Sequence, residues 1–162
     1  DDGGGGFEAG EVIDAAGLVL RIVHTPGHTA DSVSVVIEPD RHQPGAVLTG
    51  DTILGRGTTV LDDADGDLGD YLTSLNTLVD LGAGRTVLPG HGPDLPDTEA
   101  VARQYLAHRE ERLAQVRAAV DVLGADASAR AIVEHVYADV DPALWPVAER
   151  SVHVQLDYLR RR

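Results

Sequence analysis

The feature that most restricts the fold of this chain is a pattern that occurs three times. In each case a short apolar run is followed by a glycine turn carrying a side chain of a metal-binding type. The three turns are TPGH at 25–28, TGD at 49–51 and PGH at 89–91. Loops that follow neighbouring strands converge on one edge of a sheet, so residues far apart in sequence can face the same cation. The pattern predicts a layered α/β fold with His28, Asp51 and His91 together at one sheet edge.

The residue types in these turns indicate a metal site. The chain of 162 residues has no cysteine and seven histidines, so its metal ligands must come from His, Asp and Glu. Taken singly, each of the three residues also fits a solvated loop; taken together and in this order, they predict metal ligands. His24 precedes the first turn, and we expect it to be packed or to support a ligand.

Hydrophobic periodicity and turn residues divide the remainder of the chain. Alternating apolar residues predict a hairpin around residues 16–17 and strands at 32–37, 46–49 and 86–88. Spacings of three and four residues between capping signals predict helices at 67–82, 98–124, 128–137 and 146–159. The glycine-rich residues 1–6 are expected to be a flexible linker.

Net charge and hydropathy disfavour nucleic acids and membranes as partners. The formal net charge is −14, so the average field repels nucleic acid and anionic membranes, although an arginine-lined groove could still bind an anion locally. The sequence contains no apolar run of the ~20 residues that a membrane-spanning helix needs. We therefore expect a cytoplasmic protein with no membrane partner.

Longer segments resemble a known family. HTPGHTADS, LTGDTILGRGTTVL and VLPGHGP resemble the second half of the metallo-β-lactamase superfamily domain. TILGRGTTVL, DYLTSLNTLVDLG and YLAHREERLAQ are similar to the lactamase-β-like protein 2 group within it. The resemblance implies the α/β fold class: the second half of an αββα sandwich over 7–123, including the long helix. It also implies a small helical, winged-helix-like segment over 126–162, which we expect to be truncated.

The resemblance also implies a role for each turn residue. His28 would bind a first metal, Asp51 would bridge both metals as the catalytic carboxylate, and His91 would bind the second. Two Zn²⁺ ions per complete site, with Mn²⁺ or Fe as alternatives, would hold a hydroxide that attacks a phosphodiester or ester-type bond. Single-stranded RNA is one candidate substrate. The alternatives are a glyoxalase II type thioester hydrolase acting on a small molecule, or a catalytically incomplete chain that serves only as a folded half or interaction module.

One departure from the family pattern bears on activity. The family's first-half motif, two histidines separated by one residue and followed by an Asp-His pair, does not occur before His24. We therefore expect this chain alone to bind at most one hydrated cation and to be inactive. Half a sandwich would also leave one sheet face bare. We expect the missing N-terminal half of the same domain, or a second copy of the chain, to cover that face.

Five further residues are candidates for substrate contact. Gly57, Thr58 and Thr59 form a polar glycine loop after Asp51, which fits either a flexible connection or a rim beside the metals. His108 and Arg109 lie on the long predicted helix. A solvated helix face is the first interpretation there, and contact with an anionic substrate such as an RNA phosphate is the alternative.

Overall fold

The strand-forming segments build one five-stranded sheet in which sequence neighbours pair with one another. The computed structural model describes residues 8–61 and 65–162, and the linker predicted at 1–6 lies outside them. The strands are β1 (Val12–Ala15), β2 (Leu18–His24), β3 (Val33–Ile37), β4 (Ala46–Gly50) and β5 (Thr86–Pro89). The hairpin at residues 16–17 is confirmed. Ala16 and Gly17 both have positive φ, 52° and 81°, which a tight turn between twisted strands requires.

Strand direction sets which strand ends meet. The pairs β1/β2, β2/β3 and β3/β4 are antiparallel, whereas β4 and β5 are parallel. Strands β2, β4 and β5 therefore run in the same direction and end at the same edge of the sheet. A parallel pair needs a crossover, and helix α1 (Leu68–Leu81) lies in the one that joins β4 to β5.

The helices begin and end at or next to the capping positions that the sequence predicts. The N-cap carboxylate of Asp67 accepts a hydrogen bond from Asp70 N, and Gly82 is the C-cap of α1. Asp97 and Gly124 bound α2 (Thr98–Leu123). The remaining elements are α3 (Ala129–Val136), a 3₁₀ turn (Pro142–Leu144) and α4 (Trp145–Arg160). No helix within residues 8–61 and 65–162 has the length and apolarity that crossing a bilayer requires.

Helix α2 joins two apolar cores. In the first, the sheet face that carries Val36, Val47 and Val87 packs with buried residues of α1 and the first half of α2. In the second, Val116 and Ala119 of the same helix pack against α3 and α4. The mixed α/β fold class is confirmed. The domain bounds predicted at 7–123 and 126–162 stay a prediction.

The opposite face of the sheet is apolar and only partly covered. Its paired residues include Ile22, Val35, Leu48 and Leu88. Ile22 is buried, but Val35 and Leu88 are half-buried and Leu48 is 40% exposed. Within the described ranges these four side chains belong to neither core cluster. An apolar face of this kind is a surface for association.

We expect the isolated chain to cover this face with a second copy of itself. Leu48→Asp places a carboxylate on this face, and pairing of two copies would have to desolvate it. The substitution should therefore raise the dissociation constant of the dimer at least about tenfold. Sedimentation velocity over a concentration series measures the effect. Val122→Asp is the matched control, because Val122 is 70% exposed on α2, away from the sheet. A wild-type chain that stays monomeric throughout the series would contradict the expectation.

Candidate metal centre

The three glycine turns bring their side chains together, because the strands before them end at one edge of the sheet. His28 Nε2 lies 3.8 Å from Asp51 Oδ2, and His91 Nε2 lies 3.5 Å from Asp51 Oδ1. The carboxylate of Asp51 therefore lies between two imidazoles, and each imidazole faces a different oxygen. The predicted convergence of these three residues is present in the structure.

The arrangement is two pairs of donors that share one carboxylate. In the described part of the chain no group of three or more His, Cys, Asp or Glu side chains surrounds a single metal position. A catalytic zinc takes about three protein ligands and a water, and each pair supplies two. The donor set fits a carboxylate that bridges two cations, each with further ligands. Metal binding by His28, Asp51 and His91 stays a prediction.

His28 is held in the tautomer that metal binding needs. Its Nδ1 lies 3.1 Å from the carbonyl oxygen of Val60. A carbonyl only accepts hydrogen bonds, so Nδ1 carries a proton, and in the neutral ring the lone pair is on Nε2, the atom that faces Asp51. The His28 and Asp51 side chains are about one-third exposed and that of His91 is 76% exposed, so water reaches all three.

The first turn lies directly on α1. Gly27 has a φ of 131°, and a Cβ at this position would come within 2.4 Å of the Tyr71 Cα. Ser74 Oγ donates to Pro26 O at 2.7 Å, and Asp67 N donates to Gly27 O at 3.0 Å. Only glycine allows this approach, and it fixes the backbone next to His28.

The second and third turns are bound to each other through their backbones. Gly90 N donates to Gly50 O at 2.9 Å, and Gly55 N donates to His91 O at 2.8 Å. A Cβ on Gly55 would lie 2.2 Å from Pro93 O, and one on Gly90 would lie 3.0 Å from Asp51 Oδ1. The absence of side chains at these positions brings Asp51 and His91 within reach of each other.

Three hydroxyl groups fix the loop that follows Asp51. Thr59 Oγ1 donates to Asp51 O at 2.6 Å, and Tyr71 OH donates to Thr52 O at 2.6 Å. Tyr105 OH accepts from Leu54 N at 3.0 Å. Burial raises the pKa of both tyrosines, so both phenols stay protonated. Buried and part-buried hydrogen bonds therefore hold this loop in the structure.

The structure changes the interpretation of two predicted substrate residues. Thr59 is 3% exposed, and its hydroxyl is used on Asp51 O. Arg109 does not lie on a solvated helix face; its Nη2 donates to Thr59 O, and its guanidinium lies 5.0 Å from the centre of the Tyr71 ring. The polar groups of both residues hold the loop.

The other candidates have different surroundings. Gly57 and Thr58 are exposed on the loop, and His108 is half-buried. Burial lowers the pKa of His108, and the guanidinium charges of Arg109 and Arg112 lower it further. Substrate contact by these residues stays a prediction. His24 is exposed, so the expectation that it is packed is wrong; support of a ligand by His24 stays a prediction.

The two tyrosines that hold the loop do not stand out in the sequence. Tyr71 and Tyr105 fit the apolar faces of their helices, and this periodicity hides their hydroxyl groups. A buried phenol needs a hydrogen-bond partner. A tyrosine at a core position, where leucine or phenylalanine would pack as well, was the available signal.

The chain is similar to known proteins over most of its length. Residues 1–91 match the family described as Metallo-beta-lactamase superfamily, and residues 128–162 match the family described as Beta-lactamase associated winged helix domain. A Beta-lactamase-like protein 2 homolog from Caenorhabditis elegans is 41% identical over 107 residues, 66% of this chain. An Atrochrysone carboxyl ACP thioesterase from Aspergillus chevalieri is 35% identical over 114 residues, 70% of this chain.

A solved structure extends the similarity to almost the whole chain. The crystal structure of a metallo-beta-lactamase family protein from Thermus thermophilus aligns with 96% of this chain at a TM-score of 0.73 and 27% identity. The aligned region is 48% of that protein, 32% of the worm relative and 33% of the fungal one. The chain thus spans less than half of the length of each of these three proteins.

The loop contacts predict a stability effect at Thr59. Thr59→Val keeps the shape of the side chain but leaves the Asp51 carbonyl without its buried donor, so the free energy of unfolding should fall by about 1–3 kcal/mol. Thr59→Ser keeps the hydroxyl and should lose less than Thr59→Val. Urea unfolding followed by circular dichroism compares the two variants. Equal losses in both would show that the hydroxyl does not hold the loop.

Proposed function

The chain belongs to the metallo-beta-lactamase superfamily, and from this premise we propose that it contributes to a metal-dependent hydrolase at the cluster of His28, Asp51 and His91. The observation that supports this proposal most strongly is the position of the Asp51 carboxylate, whose two oxygens face the Nε2 atoms of two different imidazoles. Zn²⁺ is the cation that we propose, with Mn²⁺ or Fe as alternatives.

Each residue has a separate task in this proposal. His28 offers the Nε2 lone pair that its hydrogen bond to Val60 O directs towards the cluster. Asp51 offers two hard oxygens, whose negative charge offsets the charge of divalent cations. His91 offers an exposed ring at the open side. When bound, such cations lower the pKa of water and stabilise the negative charge that develops on the substrate.

We propose an ester-type bond, and in particular a thioester, as the substrate. The Aspergillus chevalieri relative, 35% identical over 70% of this chain, is named a thioesterase. Single-stranded RNA, which the sequence resemblance implies, is the competing substrate; the net charge of −14 disfavours a polyanion. The activity belongs to the whole protein, since each pair of donors here needs further ligands. A cytoplasmic location is part of the proposal.

Hydrolysis assays on matched substrates test the proposal. The chain is assayed with Zn²⁺ on an acyl thioester, an aryl phosphodiester and single-stranded RNA. Each assay is run with and without an added segment from a superfamily protein. This segment carries the motif of two histidines separated by one residue and followed by an Asp-His pair. We expect thioester hydrolysis only when this segment is present. Asp51→Ala should reduce it by about 100-fold or more.

The control for this assay is Asp14→Ala, which removes an exposed carboxylate on β1 and should leave the rate unchanged. Hydrolysis that persists in Asp51→Ala would contradict the proposed site. Cleavage of RNA without cleavage of the thioester would replace the proposed substrate by the competing one.

A further inference from the structure

A cavity of about 370 Å³ lies beside the loop that follows Asp51. One wall is formed by residues 58–60, and another by His108 and Arg112, which lie one turn apart on α2. The remaining wall, from the end of α3 to the start of α4, comes from Tyr137, Val140, Leu144, Val147, Ala148 and Ser151. Small-molecule sites are usually clefts of ~300–1,000 Å³, so the cavity is large enough for a small ligand.

Much of this cavity is apolar and open to solvent. Val60, Leu144 and Val147 line it, and they are 39%, 58% and 40% exposed. Val140 and Ala148 extend the same surface. Large apolar side chains gathered around a concave, solvent-open surface are typical of a ligand-binding groove. The apolar wall fits a hydrocarbon chain or ring.

The opposite wall offers groups that recognise an anion. His108 Nδ1 is buried and has no hydrogen-bond partner among the residues that the structure describes. Arg112 is fixed by a hydrogen bond from Nη1 to Gln115 Oε1 at 2.9 Å and by the Tyr137 ring, 5.3 Å from its guanidinium carbon. The guanidinium of Arg112, which lines the cavity one helical turn from His108, offers N–H donors to an oxyanion.

Local charge also favours an anion here. The residues that line the cavity include no carboxylate, although the whole chain has a net charge of −14. Burial lowers the pKa of His108, and the charges of Arg109 and Arg112 lower it further against the smaller, opposite effect of the Glu111 carboxylate. A bound anion would offset those two guanidinium charges.

We propose that this cavity binds an acyl chain that carries an anionic group. The anion lies at His108 and Arg112, and the chain lies against Val140, Leu144 and Val147. The inference rests on the proposed function, because it names the substrate class of the same hydrolase.

Two neighbouring residues connect the cavity to the cluster of His28, Asp51 and His91. Val60 lines the cavity and its carbonyl accepts the hydrogen bond from His28 Nδ1, and Thr59 lines the cavity and donates to Asp51 O. A chain held against Val60 therefore lies next to the backbone that orients His28. In the proposed hydrolase the cavity holds the part of the substrate that does not react.

Binding of sodium octanoate to the metal-free chain tests the proposal without turnover. The ring resonances of ¹⁵N-labelled histidines report binding, and 1-octanol is the uncharged comparison ligand. We expect octanoate to shift the His108 resonances and to bind at least tenfold more tightly than octanol. Arg112→Gln should remove most of this preference. Val147→Asp should weaken octanoate binding at least tenfold, because it places a carboxylate in the cavity.

Matched variants separate this proposal from a change in folding and from the hydrolase proposal. Val122→Asp makes the same substitution at an exposed valine outside the cavity and should bind octanoate like the wild type. Asp51→Ala should also bind octanoate normally, although it loses the hydrolysis expected with the added superfamily segment. Circular dichroism checks that each variant folds. Unchanged binding in both Val147→Asp and Arg112→Gln, or equal affinity for octanol, would overturn the cavity proposal. Metal-dependent thioester hydrolysis without octanoate binding would overturn it and leave the hydrolase proposal standing.

Discussion

The candidate site depends on direct backbone contact between the turn after β4 and the turn after β5. Two hydrogen bonds make this contact, Gly90 N to Gly50 O and Gly55 N to His91 O. It is possible because neither turn carries a side chain where the backbones meet: a Cβ on Gly55 would overlap Pro93 O, and one on Gly90 would press on Asp51 Oδ1. An alanine at either position would separate the turns or displace the carboxylate, so the distance between Asp51 and His91 is set by backbone geometry.

Tyr71 connects this contact to the first turn and to the body of the fold. Its backbone touches Gly27, its hydroxyl donates to Thr52 O, and its ring lies beside the guanidinium of Arg109. Helix α1 therefore supports both the His28 turn and the loop after Asp51. Helix α1 packs against α2, and α2 continues into the second core. The C-terminal helices therefore pack against α2, the helix that carries His108 and Arg112. The sheet edge and the neighbouring cavity share one rigid support.

The parts of this structure that local chemistry controls could be predicted from the sequence. Asp67, Gly82, Ser128 and Gly124 cap the helices at the expected positions, and the glycine turns predict that His28, Asp51 and His91 converge. What could not be predicted depends on contacts between distant segments. Arg109 lies at a helical position that looks solvated, but it donates to the carbonyl of Thr59, which is 50 residues away in sequence. His24 follows an apolar strand, yet the end of β2 leaves it exposed. The hydrogen bond from His28 to Val60 O uses a backbone atom, which the sequence pattern does not reveal.

We propose that the Asp51 carboxylate lies between two metal positions, one at His28 and one at His91. Zinc-edge anomalous diffraction from crystals of the chain grown with Zn²⁺ and a superfamily segment that carries the two-histidine and Asp-His motif tests this proposal. We expect two zinc peaks about 3.5–4 Å apart, one at His28 Nε2 and one at His91 Nε2, with an Asp51 oxygen at each. Zinc found only at other histidines, such as His42 or His135, with Asp51 making no contact to metal, would contradict it.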